Sequence, residues 1–201
     1  MPLTPNSANF VPLLCHPATP APPINRIDAS LVWLADDSIA FRYCLRGDMA
    51  RLRIPAERSR ERTSLLWEHT CFEAFVGLDG EENYREFNFS PSGQWAAFDF
   101  TAYRQHSAED PVIDTPLIST RLTDGRFELE AVVKLHDLPK ATSGNSWSVG
   151  LSAVVETVDT VDGSHSYWAL HHPSPRPDFH HAAGFLARFT RNTAVAQSGI
   201  S

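Results

Sequence analysis

The sequence contains few cysteines, few methionines and no long apolar run among its 201 residues. Its three cysteines, Cys15, Cys44 and Cys71, are odd in number and lack the paired spacing of a zinc knuckle, which argues against a disulfide scaffold. Unpaired cysteines are typical of a reducing compartment, and the first residues lack the pattern of a secretory leader. We therefore predict a cytoplasmic protein. We also predict no membrane partner, because no stretch approaches the roughly 20 apolar residues of a span.

Basic residues are scarce too: 17 Lys and Arg residues stand against 24 Asp and Glu residues, which gives a formal net charge of −7. The densest basic run, Arg58, Arg60 and Arg62, is interleaved with Glu57 and Glu61, a pattern typical of a solvated loop. Nucleic-acid binding needs a concentrated basic face. We therefore predict no nucleic-acid partner.

Catalytic signatures are missing as well. The sequence has no GxSxG, HExxH, Walker or GxGxxG motif. Glycoside hydrolysis requires two carboxylates at a set separation, such as Glu73 with Glu86 or Asp99, and a sequence does not supply that distance. The absence of motifs favours a binding protein over an enzyme.

The sequence does contain a series of short runs in which apolar and polar residues alternate, among them residues 70–76, 84–90 and 127–133. Turn-forming pairs such as Asp79 with Gly80 and Asp124 with Gly125 separate these runs. Alternation with almost no helical periodicity predicts an all-β, antiparallel sandwich or barrel.

Proline is concentrated at the start of the chain, where seven prolines fall within residues 1–23. Because proline has a fixed φ and no N–H, this segment is predicted to be an extended arm, neither a helix nor a central strand. We predict one domain over residues 24–190 and a C-terminal tail over residues 191–201.

A candidate binding face lies within residues 84–104. Strand alternation points Glu86 and Asn88 to one side and the phenylalanines between them to the other. After the next turn, Trp95 and Asp99 share a side that we assign to the binding face. A large aromatic ring among hydrogen-bonding groups is costly to leave in water unless something lies against it. We therefore predict a ligand.

The chain resembles the DOMON-like domains related to type 9 carbohydrate-binding modules, in particular small bacterial proteins made of that domain alone. The segments that carry this resemblance are LWEHTCFEAF (residues 66–75), YREFNFSPSGQWAAFDFTAYR (84–104), GLSAVVE (150–156) and SYWALHHPSPRPDFHHAAGF (166–185). The resemblance implies a jelly-roll or immunoglobulin-like β-sandwich of about ten strands. It also implies a ligand site on one sheet, for sugar in the carbohydrate-binding branch and for haem in some other relatives.

In the sugar-binding branch, a tryptophan and a glutamate six residues apart grip a terminal sugar, and a second tryptophan closes the site. Trp67 and Glu73 have that spacing. By its late position, Trp168 matches the closing tryptophan, and Trp95 is the alternative.

These residues have the chemistry that sugar recognition needs, namely flat apolar rings for the C–H face and planar polar groups for the hydroxyls. The predicted ligand-binding residues are Trp67, Glu73, Arg85, Glu86, Asn88, Trp95 and Trp168. Two ring contacts and two charged hydrogen bonds, less the cost of association, predict a Kd of about 1 μM to 1 mM. The alternatives are that the tryptophans only pack in the core and that Glu73 forms a structural ion pair with an arginine.

A second constellation lies on the proline-rich loop of residues 171–181. His171, Asp178 and His180 could ligate a divalent metal or supply a haem ligand, in which case the protein would bind a cofactor or be an enzyme. Against this interpretation, no established zinc spacing is present, and Asp178 and His180 could instead bond to the backbone and fix the loop. Our leading prediction includes no cofactor. A third alternative is a domain that binds a protein segment at a sheet edge.

Overall fold

The computed structural model describes residues 10–140, 146–158 and 164–189. Residues 1–9 of the predicted arm and the predicted tail at residues 191–201 lie outside these ranges. The prediction of an all-β antiparallel sandwich is confirmed, with twelve strands in the described ranges. The strands are β1 Val11–Cys15, β2 Ile24–Leu34, β3 Ser38–Gly47, β4 Cys71–Leu78, β5 Tyr84–Phe89, β6 Trp95–Ala102, β7 Gln105–His106, β8 Leu117–Thr123, β9 Arg126–Lys134, β10 Trp147–Thr157, β11 Ser164–Ala169 and β12 Ala187–Phe189.

Helical structure in the described ranges consists of four single 3-10 turns. They span Met49–Arg51, Leu66–Glu68, Leu135–Asp137 and Ala182–Gly184. None of these turns has the length that a bilayer-crossing helix requires.

The strands form one hydrogen-bonded path in the order β7-β6-β5-β4-β10-β11-β1-β2-β3-β9-β8, with β12 paired to β10. All pairings between the strands are antiparallel. The path folds back at β1. One layer consists of β7, β6, β5, β4, β10 and β11, and the other consists of β2, β3, β9 and β8. Two facing layers bury a shared core between them, as in other sandwiches.

Strand β1 lies inside the proline-rich segment, so the prediction that this segment is not a central strand is wrong for Val11–Cys15. Its first half pairs with β2, where Pro12 lies opposite Asp28, and its second half pairs with β11, where Leu14 lies opposite Ala169. The strand changes partner halfway along. At Pro12 only one neighbour is present, which is the edge-like setting in which a missing N–H is tolerated.

The core lies between the two layers and is rich in phenylalanine. Phe41 of β3 stacks on Phe89 of β5 with a centroid separation of 5.8 Å, and Tyr43 lies 5.0 Å from Phe72 of β4. The Tyr43 hydroxyl donates a 2.7 Å hydrogen bond to the backbone carbonyl of Glu73. This bond fixes β4 from the core side, beneath the face on which the Glu73 side chain lies.

Candidate functional site

Strand register places the acidic and amide side chains of β4 and β5 on one face of the first layer. Glu73 lies directly opposite Asn88, and Glu86 lies opposite Phe75 on one side and Phe98 on the other. Directly opposite residues in an antiparallel pair point to the same face. This face points away from the core, towards the loop of residues 170–186.

A cavity of about 320 Å³ opens on this face, beneath that loop. Ligand cavities in proteins start at about this size, so the space suits a small ligand. Its apolar lining is Trp67, Phe75, Phe98, Phe100, Val154, Tyr167, Pro177 and Phe179. Its polar lining is Glu73, Glu86, Arg104, His106 and His180.

Trp67 borders the cavity from the 3-10 turn that precedes β4. Its side chain is 39% exposed, and its ring meets Phe98 edge-on at a centroid separation of 6.0 Å. The residue two positions earlier, Leu65, has a positive φ of 62°. A left-handed conformation costs a residue other than glycine about 1 to 2 kcal/mol, so contacts elsewhere in the fold must offset the backbone conformation at the start of the turn that carries Trp67.

The carboxyl group of Glu73 is buried and borders the cavity. The residue is 3% exposed, and its side chain has no hydrogen-bond or ion-pair partner in residues 10–140, 146–158 or 164–189. Burial, and then the nearby charge of Glu86, raise the pKa of Glu73 well above its usual range. A buried carboxyl with a raised pKa that borders a cavity marks a candidate binding site, because a charged form would need a partner there.

Glu86 is also buried, and its side chain has one hydrogen-bond partner among the described residues. Its Oε1 accepts a 2.6 Å hydrogen bond from Nδ2 of Asn88. Burial raises the pKa of Glu86 to about 7, although Asn88 and the charge of Arg104 act in the opposite direction. Two carboxyls in one cavity disfavour double ionisation, so near neutral pH the pair with Glu73 retains a proton.

His180 joins the loop to the sheet. Its Nδ1 lies 2.8 Å from the hydroxyl of Tyr84, which itself accepts a hydrogen bond from the Arg104 backbone N–H at 3.1 Å. Burial, and then the charge of Arg104, lower the pKa of His180 to about 4, so its ring is neutral at physiological pH. The other ring nitrogen of His180, Nε2, lies 3.8 Å from Glu86 Oε2.

Asp178 holds the same loop on the outer side of the cavity. It accepts hydrogen bonds from the Tyr103 hydroxyl at 2.6 Å, from the Arg104 guanidinium at 2.9 Å and from the His180 backbone N–H at 3.2 Å. Burial alone would raise the pKa of Asp178, but the bonds from Tyr103 and Arg104 outweigh it and lower the pKa. The carboxylate thus acts as a clamp between loop and sheet.

The structure does not assemble a metal site from the predicted candidates. His171, Asp178 and His180 do not place three ligand atoms within 4.8 Å of one another. In the described ranges, the group that does so is Asp114, His136 and Asp137, at the end of β9 and away from the cavity. The hydrogen bonds of Asp178 and His180 instead follow the alternative prediction, in which these residues fix the loop.

Arg85, a predicted ligand-binding residue, does not border the cavity. It forms a bidentate pair with Asp99, at 2.6 and 2.7 Å, and donates to the backbone carbonyl of Asp137. Arg85 alternates with Glu86 along β5, so its side chain leaves the sheet on the opposite face. Its role is to join β5, β6 and the turn after β9.

Trp95 and Trp168 do not border the cavity either, because both lie in the core. Trp95 is 5% exposed and opposite Phe89, while Trp168 is 6% exposed and opposite Ala153. The register of each strand against its neighbour turns these rings inward. The alternative prediction of core packing therefore describes both tryptophans, whereas Trp67, Glu73, Glu86 and Asn88 lie together at the site.

The sequence analysis missed the aromatic and basic residues that complete the lining. They are Phe75, Phe98, Phe100, Arg104, His106, Tyr167 and Phe179. The sequence does contain a signal for the position of Phe98, namely the loop of residues 91–93. This loop ends at Gly93, which has a φ of 88°. A three-residue hairpin loop with glycine last is a common turn that pairs the flanking residues. That pairing sets Phe98 beside Glu86 and Trp95 beside Phe89.

A second groove, of about 530 Å³, adjoins the cavity and shares His180 with it. It is lined by Tyr84, Tyr103, Phe185, Arg188 and the loop after β4. The larger volume does not make it the better candidate. The smaller cavity holds the unpartnered carboxyl and the exposed indole, and the chemistry of a site outweighs its size.

Fold and cavity together define a β-sandwich with a built pocket on the outer face of one layer. The chain is similar in structure to a candidate carbohydrate-binding protein from Bacteroides uniformis, with a TM-score of 0.62 and 18% identity over 90% of this chain and 85% of that one. A type 9 carbohydrate-binding module from Caldicellulosiruptor kristjanssonii in complex with cellotriose gives a TM-score of 0.48 and 13% identity over 82% of this chain and 73% of that one.

A type 9 module from the same organism in complex with glucose gives a TM-score of 0.41 and 12% identity over 72% of this chain and 65% of that one. No protein-family model matches the chain, and no curated protein matches it significantly. The similarity to the first structure shows a shared fold, and a fold does not define a ligand. The resemblance to DOMON-like domains stays a prediction from the sequence.

Proposed function

We propose that this protein is a non-catalytic binding module for a small carbohydrate, which lies in the cavity between Trp67 and Glu73. One observation carries the proposal: an exposed indole and a buried carboxyl without a protein partner border the same cavity. Sugars combine an apolar C–H face with a ring of hydroxyls, and this pairing of side chains complements both. The carbohydrate-binding description of the first structural neighbour agrees with the proposal.

The apolar contact comes from Trp67, supported by Phe98 and by Phe179 of the loop. An aromatic contact contributes about 0.5 to 1.5 kcal/mol beyond the area it buries. Phe98 meets Trp67 in a T-shaped contact, and both rings line the cavity. Trp67 is thus the single ring whose loss should remove the most binding energy.

The polar contacts come from Glu73 and Glu86 on neighbouring strands. A hydrogen bond to a charged group contributes about 1.5 to 3 kcal/mol. Asn88, which is fully buried, holds the Glu86 carboxyl by its 2.6 Å hydrogen bond and positions it for a hydroxyl. The apolar area that the sugar buries adds to these contacts and the cost of association is subtracted, and we expect a Kd of about 1 μM to 1 mM.

The test is calorimetric titration of monosaccharides and disaccharides into the wild-type protein, Trp67→Ala and Glu73→Ala. We expect a loss of about tenfold or more in affinity for each variant. Phe10→Ala and Glu68→Gln are matched controls, because both residues are exposed and neither borders the cavity. Heats that are unchanged in Trp67→Ala and Glu73→Ala would remove the proposal.

The cytoplasmic location and the single domain, predicted to span residues 24–190, are proposals as well, and β1, Val11–Cys15, extends the sheet of that domain towards the N-terminus. All three cysteines are free, and two of them are buried, which agrees with a reducing compartment. Fractionation of cells tests the location, and limited proteolysis tests the domain boundaries.

A further inference from the structure

Two buried carboxyls border the cavity, and no Arg or Lys of the described residues forms an ion pair with either of them. Glu73 is 3% exposed and Glu86 is 6% exposed, so solvent screens neither carboxyl well. Asn88 donates one hydrogen bond to Glu86, but an amide adds no positive charge. The question is therefore which cation in the structure, if any, balances the two carboxyls.

Among the described residues of the lining, Arg104 is the permanent cation. Its guanidinium bonds to Asp178 at 2.9 Å, and its charge lowers the pKa of Glu86, but it forms no ion pair with Glu73 or Glu86. The ring of His180 is neutral at physiological pH. His106 lies at the exposed rim with its ring packed on Phe100 at 4.3 Å. Neither carboxyl therefore has a bonded cation among the described residues.

Most of the remaining lining is aromatic. Rings from several parts of the fold line the cavity, among them Trp67 from the 3-10 turn, Phe98 and Phe100 from β6, and Tyr167 from β11. Aromatic faces carry partial negative charge and attract organic cations, most strongly at desolvated positions. A pocket that combines ring faces with buried carboxyls is complementary to an ammonium group.

We propose that the carbohydrate bound at this site is an amino sugar, whose ammonium group lies beside Glu73 and Glu86. The inference rests on the proposed function, because it names the class of sugar that the same cavity takes. A neutral sugar would leave the carboxyl pair without a cation. An ammonium group forms charge-assisted hydrogen bonds with both carboxyls.

Release of the proton that Glu73 and Glu86 retain gives a measurement of the proposed ammonium contact. Burial raises the pKa of both carboxyls, that of Glu86 to about 7, so the empty cavity retains a proton near neutral pH. An ammonium ligand stabilises the ionised form, and the O–H proton then leaves to the buffer. The other titratable or charged groups around the pair are Tyr43, Cys71, Tyr84, Arg104, His106, Tyr167, Asp178 and His180.

The experiment compares glucosamine, glucose and N-acetylglucosamine by calorimetry at pH 6.5, in two buffers of different ionisation enthalpy. Glucose has the same ring without the nitrogen, and N-acetylglucosamine has the nitrogen without the charge. At this pH an ordinary amine is protonated. We expect glucosamine to bind about 10- to 100-fold more tightly than either neutral sugar. We also expect glucosamine alone to release a fraction of a proton.

The variants Glu73→Gln and Glu86→Gln replace each carboxyl by an uncharged amide of the same shape. We expect both to bring the ratio of glucosamine affinity to glucose affinity close to one, while Glu68→Gln keeps the wild-type ratio. If neither cavity variant folds, proton release by the wild-type protein decides the question, and equal heats in the two buffers overturn the inference.

The outcomes separate the two proposals. If glucose binds and glucosamine binds no more tightly, the amino-sugar inference is wrong and carbohydrate binding stands. If none of the three sugars binds, the amino-sugar inference is wrong, and the titration with other monosaccharides and disaccharides decides whether carbohydrate binding stands. A preference for glucosamine that persists in both glutamine variants would place the ammonium group elsewhere and would also overturn the inference.

Discussion

The hydroxyl of Tyr84 lies 2.8 Å from Nδ1 of His180, and this bond joins the floor of the cavity to its roof. Tyr84 belongs to β5, whereas His180 lies on a loop 96 residues further along the chain. The Tyr84 ring also stacks on Phe100 at a centroid separation of 4.8 Å. The cavity is therefore shaped by contacts between a rigid sheet and a loop that rests on it.

The first prediction concerns the clamp at Asp178. Asp178→Asn removes the negative charge to which the side chains of Arg104 and Tyr103 donate hydrogen bonds. We expect the loop of residues 177–181 to open more readily in this variant. Because Arg104 is half exposed, the loss of stability should be about 1 kcal/mol. We expect sugar affinity to fall about three- to tenfold, since the loop forms one wall of the cavity. Amide hydrogen exchange in the loop and calorimetry check both effects.

The control for this variant is Asp36→Asn, which breaks the exposed pair with Lys134 at 2.8 Å. We expect that change to alter neither loop exchange nor affinity. Equal effects of the two substitutions would show that the clamp has no special role.

The second prediction concerns the contribution of Glu86 to the pH dependence of the free energy of unfolding. Its pKa is raised from 4.5 to about 7 in the folded state, so the folded protein binds more protons than the unfolded chain between these values. The contribution of Glu86 to the free energy of unfolding is thus fully present below pH 4.5 and falls as the pH rises towards 7. From linkage, the size of this change is about 3 kcal/mol.

Glu86→Gln isolates this contribution, because glutamine does not titrate. We expect the variant to gain stability relative to wild type between pH 5 and pH 8, as measured by denaturant unfolding at each pH. A stability difference that stays constant over this range would contradict the assignment. Calorimetric titration of the sugar at the same pH values would show whether sugar affinity also depends on the titration of Glu86.

The third prediction concerns the glycine beneath the loop. A Cβ at Gly150 would lie 2.7 Å from Cδ1 of Phe185, whose buried ring packs on Phe75 and Tyr84. Gly150→Ala must displace that ring, and overpacking of this kind costs about 1 to 3 kcal/mol. We expect a lower melting temperature together with weaker sugar binding.

Gly77→Ala is the matched control, because the nearest atoms to its Cβ would be 3.5 Å away. We expect it to be neutral or slightly stabilising, since alanine restricts the unfolded chain more than glycine does. If Gly77→Ala destabilises the protein as much as Gly150→Ala, contact with Phe185 is not the cause.

The fourth prediction separates Trp67 from the core tryptophans. We expect sugar binding to change tryptophan fluorescence in the wild-type protein and in Trp168→Phe, but not in Trp67→Phe. Trp168→Phe should lower the free energy of unfolding by about 1 to 3 kcal/mol, because a buried ring loses packing and its 3.0 Å bond to Ser166. Its affinity should stay within about threefold of wild type. A fluorescence response lost in Trp168→Phe would place the ligand elsewhere.

Much of the fold followed from local patterns. Alternation in Tyr84–Phe89 correctly separates Glu86 and Asn88 from Phe87 and Phe89, because side chains on a strand alternate whatever the tertiary fold. The proline-rich start was misjudged at Val11–Cys15, since the sequence does not show that a strand will change partner at its midpoint.

The candidate site was harder to predict. Trp67, Glu73, Glu86 and Asn88 came together, and Trp95 did not join them. Alternation within β6 separates Trp95 from Phe98, but it does not say which of the two shares a face with Glu86. That choice depends on the register between two strands, and a shift of one residue would exchange the faces.

The sequence by itself determined the all-β class, the alternation of polar and apolar faces and the placement of Glu86 and Asn88 on one side of their strand, because these depend on residue type and a period of two. The tertiary structure decided which rings border the cavity, that Glu73 is buried without a bonded partner among the described residues and that the His180 loop covers both glutamates. Those features arise from register and from a loop that meets β5 across 96 residues. Distances between residues so far apart in the chain exist only once the two layers have packed.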